Sequence, residues 1–177
     1  MYGSKPGLPA PTTTSAPVAS YCDEGRSRPV GAWEPRSLVD RDIVTRRLLV
    51  LSDALQQIDR EFPGDARGLE ASPLVRAAIE RWLQVAIEVC IDLAYHVIAD
   101  RGWLPPDNAG DAFAVLASHG ALDRSLASRL RGAVSLRNLL VHQYADVDLE
   151  KLAKTVRQDL GDLKAFAAAA ARWLEEA

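Results

Sequence analysis

The chain has 177 residues, enough for one domain with a sizeable core. Hydrophobic residues make up 48% and charged residues 25%, the balance of an ordinary soluble globule. Aromatics are 6% and the formal net charge is −3, so helix is favoured over sheet and global charge does not recruit nucleic acid. Any basic site must be local.

Residues 1–36 carry six of the ten prolines and no helical or strand period. They read as a disordered or non-native N-terminal extension, since such composition cannot bury enough apolar surface to offset chain ordering. They also lack the apolar central run of a secretory signal. Cys22 falls in this extension and Cys90 in a buried-looking helix. Both are expected as unpaired thiols in a reducing compartment, so the chain is expected to be cytoplasmic.

The remainder, 37–177, is predicted as one helical domain. Ser37 is placed as the N-cap of a first helix, with Leu38, Ile43, Leu48, Leu51, Leu55 and Ile58 at helical spacing and an end near Phe62-Pro63-Gly64. ARGLEA is a link. Ser72-Pro73 then supplies a cap and a proline at the first helical position of a long second helix, which runs to about Arg101. That helix is apolar over nearly its whole circumference, so it is central in a bundle or covered by a partner. Glu88 and Asp92 interrupt its apolar run, which argues against a membrane span.

Glu88 and Asp92 stand at i and i+4, and with Arg81, Gln84 and Tyr95 they form a polar seam. Unpaired, such carboxylates are costly. A structural reading pairs them with arginines such as Arg81 or Arg137. A functional reading has one of them orient Arg137 or His142 from behind. A metal reading would need His96, at i+4 from Asp92, because neither acid has a histidine at i+3.

A short helix lies within DNAGDAFAVLASHG, closed by Gly120, and His119 in its last turn suits the helix dipole. Asp123 caps the next helix, which runs to Tyr144 with Arg124, Arg129, Arg131 and Arg137 and no acid. It reads either as a solvated face or as a local phosphate-attracting groove. Asp148 opens the last helix, to about Glu175, with Leu152, Val156, Leu160, Leu163 and Phe166 spaced for packing. Its alanine-rich end, AFAAAAARW, is expected to add little to the core. The fold expected is an all-α, up-and-down bundle of about five helices.

Within the fourth of these helices, RNLLVHQY (137–144) concentrates the polar chemistry. Arg131, Ser135, Asn138 and His142 form one polar line. Leu126, Leu130, Ala133, Arg137, Val141 and Tyr144 form a neighbouring line that is apolar but for Arg137 and the tyrosine hydroxyl. Arg137 therefore needs an acceptor. The plain alternative is that His142 answers the helix dipole and Arg137 is a structural ion-pair partner. No phosphate-binding glycine loop, zinc spacing, or serine or cysteine nucleophile motif is present, and no cofactor is expected.

R-x-x-x-x-H-x-Y, filled here by Arg137, His142 and Tyr144, resembles the signature of the HepT-like toxins of the HEPN superfamily. RAAIERWLQVAIEVCIDLAYHVIADRG (76–102) resembles that family's long second helix, and the stretch from Pro105 to Tyr144 its third and motif helices. The likeness covers about residues 38 to 175.

The resemblance implies a metal-independent endoribonuclease, the toxin of a toxin–antitoxin pair, with Arg137 and His142 catalytic. Histidine suits proton transfer near neutral pH, and the arginine fork suits phosphate oxygens. Arg131, Ser135 and Asn138 are the residues expected to contact RNA. In an ideal helix Arg137 and His142 point about 140° apart. They meet one phosphate if the helix frays after Val141, if the long arginine wraps round, or if two subunits contribute. The resemblance implies the last, a homodimer. It also implies a partner, a MntA-like nucleotidyltransferase antitoxin that transfers AMP to Tyr144, where charge and bulk beside His142 would exclude RNA. Two other readings stay open at this point: a non-catalytic HEPN-type nucleotide-binding module that scaffolds a transferase, and a plain helical interaction bundle.

Overall fold

The structure, a computed structural model, describes residues 41–142 and 147–176. The N-terminal extension, Ser37, Leu38 and Cys22 lie outside the described residues, as does Tyr144. Six helices are described: α1 (Arg41–Glu61), α2 (Ala66–Ala71), α3 (Pro73–Asp100), α4 (Ala109–Ser118), α5 (Arg124–His142) and α6 (Leu149–Glu176). The bundle is all-α, as the apolar periods predict.

The sixth helix is α2, over the ARGLEA stretch expected as a link. Gly64, at φ +98°, turns the chain out of α1. Asp65 then caps α2 by accepting from Gly68 N at 2.8 Å, and Ala66 and Leu69 are buried. Six residues are too few to show a hydrophobic period, so the cap was the readable signal. Ser72 behaves differently from its predicted role: Pro73 opens α3, but the serine side chain makes no capping hydrogen bond. Asp123 and Asp148 do cap their helices, accepting from Leu126 N at 3.0 Å and from Lys151 N at 3.1 Å.

α3 is the centre of the bundle and packs against each of the other five described helices. Its all-round apolar character is therefore answered within the chain. Ile79, Leu83, Ile87, Leu93 and Ile98 are essentially inaccessible. α3 is long and apolar enough to cross a membrane, yet most of its apolar window is buried against its neighbours. Cys90 is a free thiol on this helix, and burial pushes its pKa far above the ordinary thiol range.

On α1 the buried face is Val44, Leu51, Ala54, Leu55 and Ile58, whereas Ile43 is exposed. Among the described residues the exposed large apolar side chains are Ile43, Leu49 and Val50 on α1, with Leu49 at 65% and Val50 at 47% exposure, together with Leu74 at the start of α3 and Leu104 in the loop after it. The alanine-rich end of α6 contributes more than expected. Ala169 and Ala170 are buried, and Phe166 packs edge-on to both Phe113 and Trp173 at centroid distances of 5.5 and 5.6 Å. Small side chains let α6 come close, and each such aromatic pair contributes about 0.5–1.5 kcal/mol beyond the area it buries.

Candidate functional site

Arg137 lies half-buried on α5, at the edge of a stripe formed by Leu126, Leu130, Val134 and Leu140. The acceptor that this position demands is Glu88 of α3, whose Oε2 is 2.7 Å from Arg137 Nη2. Oε2 has no aligned hydrogen-bond donor, so the contact is charge pairing rather than a directed hydrogen bond. Arg137 Nη1 donates to Asn138 Oδ1 at 3.2 Å. One turn back on α3, Gln84 Nε2 donates to the carbonyl oxygen of Leu140 at 3.0 Å. That carbonyl belongs to the last turn of α5, where the helix leaves its own acceptors unfilled.

The polar seam of α3 thus splits its work. Glu88 meets Arg137, one of the two arginines named for it. Asp92 instead pairs with Arg47 of α1, a contact between separate helices with no local sequence signal. Arg81 reaches Gln84 Oε1 at 3.5 Å. These side chains border a cleft of about 310 Å³ between α1, α3 and α5, with Val50 and Val141 on its apolar wall. Three arginines (Arg47, Arg81, Arg137) and one carboxylate (Glu88) line it, so it is locally cationic in a chain of net charge −3.

His142 closes α5, and its side chain lies outside the described residues, as does Tyr144. Ser135 and Asn138 are exposed on the polar face of α5. Arg131 is drawn away from Arg137, to Asp111 of α4 at 3.0 Å. Arg129 donates to both oxygens of Asp162 at 2.9 Å. Three of the four arginines of α5 are thus paired with an acid on a neighbouring helix, and the basic stretch is in large part a set of inter-helix ties. His119 follows α4 with its ring edge-on to Trp103, 4.1 Å between centroids. His96 Nε2 is buried without a hydrogen-bond partner. Among the described residues no three His, Cys, Asp or Glu side chains group as a metal site would.

The described residues thus form an all-α bundle that holds an arginine against a carboxylate in a cationic cleft, five residues before a helix-terminal histidine. The family is identified by comparison. The ribonuclease HepT-like family model matches residues 51–170, and the chain belongs to that family. The mRNA nuclease HepT of Shewanella oneidensis is 26% identical over 125 residues, 71% of this chain and 93% of that protein. A solved structure of the tri-AMPylated HEPN toxin of Shewanella oneidensis in complex with MNT antitoxin is similar at a TM-score of 0.67 and 25% identity, covering 72% of this chain and 96% of that one. The cytosolic protein YutE of Bacillus subtilis, of unknown function, shares the fold at a TM-score of 0.70 and 20% identity, over 80% of this chain and 94% of that one.

Proposed function

We propose that this chain is the ribonuclease toxin of a toxin–antitoxin pair and that it cuts RNA without a metal ion. The observation that carries the reading is Arg137, held half-buried at the mouth of a cationic cleft, within the span matched by the ribonuclease family. The relatives named as an mRNA nuclease and as a HEPN toxin bound to its MNT antitoxin support it.

In this reading the RNA 2′-hydroxyl attacks the adjacent phosphorus. The P–O bond to the 5′-oxygen breaks, leaving a 2′,3′-cyclic phosphate and a 5′-hydroxyl. His142 transfers the protons, since imidazole titrates near neutral pH. Arg137 faces the equatorial phosphate oxygens and stabilises the charge that builds there. Arg81 draws the strand into the cleft, with Arg47 held against Asp92 at its edge, and Ser135 and Asn138 contact it from the exposed face of α5. Arg131, tied to Asp111, acts at most as a distant charge. Arg137 and His142 point about 140° apart on one helix, and of the ways to bring them to one phosphate this reading takes the one the family resemblance implies, two copies of the chain with Arg137 of one near His142 of the other. A nucleotidyltransferase partner silences the site by AMP transfer to Tyr144.

The test is cleavage of labelled RNA in EDTA by purified wild type, Arg137→Ala and His142→Ala. The expected result is cleavage by wild type and a loss of at least about a hundredfold in each variant, at the scale of a positioned acid–base or charge-stabilising group. Wild-type-like activity in either variant removes that residue from the chemistry. A strict requirement for Mg²⁺ removes the metal-free mechanism.

A further inference from the structure

The end of the bundle remote from Arg137 holds a second cleft, of about 280 Å³. Glu88, beside Arg137, and Arg101, beside this cleft, stand on one helix and its cap, roughly 20 Å apart at 1.5 Å per residue. The walls are Arg101 and Trp103 just after α3, His119 just after α4, and Arg172 and Trp173 near the end of α6. Val97 forms part of the apolar floor. None of these residues belongs to the Arg137 cleft.

Both cations of this cleft reach solvent. Arg101 is 43% exposed and reaches Asp100 only at 4.0 Å, the limit of an ion pair. Arg172 is exposed. The indoles are held in place. Trp173 is buried with its Nε1 donating to the carbonyl oxygen of Ala121 at 3.2 Å. Trp103 is half-buried, and its neighbour His119 meets it edge-on, which covers less of an aromatic face than stacking would. Helix C-terminal ends favour a cation each, which accounts for the arginines and the histidine taken singly. It does not account for two indoles bordering the same opening. Guanidinium forks take phosphate oxygens and aromatic faces take bases, and together they recognise single-stranded RNA.

We propose that this cleft binds a phosphate together with the base next to it, the chemistry shared by a free nucleotide and an RNA strand. Arg101 and Arg172 hold the phosphate and Trp103 stacks the base. The strand form rests on the ribonuclease reading, with the cleft gripping substrate roughly 20 Å from the cut; the binding itself does not.

The experiment titrates the full chain with two probes. One is AMP. The other is a labelled 2′-O-methyl oligoadenylate of about ten nucleotides, which lacks the attacking hydroxyl and is not cut. Arg101→Ala/Arg172→Ala should weaken binding of the oligonucleotide about tenfold or more, with less effect at high salt. Trp103→Leu should weaken it about fivefold or more, and Trp103→Phe should restore most of the loss. Melting curves confirm that the variants fold. AMP binding with the same variant pattern assigns the cleft to free nucleotides as well; binding of the oligonucleotide alone assigns it to the strand. Unchanged binding of both probes in the arginine and Leu variants overturns the proposal. If the variant pattern appears but wild type cuts no RNA, the cleft stands and the ribonuclease reading falls. Cleavage with unaltered binding has the reverse meaning.

Discussion

Replacing Glu88 by glutamine should make the chain bind RNA more tightly. The carboxylate lies 2.7 Å from Arg137 Nη2, close to where a substrate phosphate would sit. A phosphate taken by the other edge of that guanidinium would be roughly 6 Å from Glu88. At an effective dielectric of about 20, two unit charges at that distance repel by about 3 kcal/mol. The Glu88 side chain is 45% exposed, so solvent and salt reduce this to about 1 kcal/mol. That is about fivefold in affinity. Glutamine keeps the shape and leaves Arg137 a neutral acceptor. A pair this exposed contributes about 0–1 kcal/mol to stability, so the melting temperature should move by no more than a few degrees. The assay is steady-state cleavage of a fluorophore–quencher RNA at about 50 and 200 mM salt, which span the range where screening changes most. KM should fall about fivefold at the lower salt, with a smaller gap at the higher, and kcat should stay within about twofold. A KM that is unchanged or raised refutes competition with phosphate and makes Glu88 a residue that positions Arg137.

Tyr144→Phe should keep its ribonuclease activity but escape silencing when incubated with a cognate nucleotidyltransferase and ATP. Equal gain of mass and equal loss of activity in wild type and variant would place the AMP acceptor elsewhere. The exposed Leu49 and Val50 of α1, of which Val50 lines the Arg137 cleft, predict a homodimer by light scattering at micromolar concentration; a monomer that still cuts RNA would rule out the two-copy site. Asp123→Ala should lower the melting temperature at pH 7. The Ser125 hydroxyl first, and then the Leu126 N–H, hold the Asp123 carboxyl below its ordinary range, so its stabilisation is present above the unfolded value near about 3.9 and is lost as pH falls through the folded one. The difference between variant and wild type should therefore close as the pH is lowered past that value, and a constant difference from pH 7 to pH 3 would show that the cap's charge is not what stabilises α5.

Much of the architecture could be read because long amphipathic helices with acidic caps announce themselves. Asp123 and Asp148 opened α5 and α6 as expected, and the all-round apolar sequence of α3 marked the central helix. What failed to show was set by tertiary contact. α2 is one and a half turns long and carries no period. The alanines at the end of α6 matter because the bundle buries them: Ala169 and Ala170 are in the core, between Phe166 and Trp173 in sequence. A helical projection put Arg131 on the same line as Asn138 and His142, but it could not show that Asp111 of α4 stands opposite. The demand for an acceptor at Arg137 was legible from its apolar neighbours, and Glu88 was among the candidates. The pairing of Asp92 with Arg47 joins residues on separate helices and had no local trace.

The contacts between α3 and α5 bear on how the proposed site is controlled. Gln84 and Glu88 lie one turn apart on α3, roughly 6 Å along its axis. They reach Leu140 and Arg137 in reverse order along α5, so the two helices are antiparallel at the site. Moving α5 by one turn would break both contacts together, and it would drag the buried Leu130, Val134 and Leu140 out of a close-packed core. Arg137 and the last turn before His142 are therefore fixed to each other by the most buried helix in the chain. A site built this way has no sliding or hinging element of its own among the described helices. In the proposed reading, switching it on or off is then a matter of what is brought to it from outside these helices, a second copy of the chain or an AMP group on Tyr144. Either would leave α3 and α5 in place.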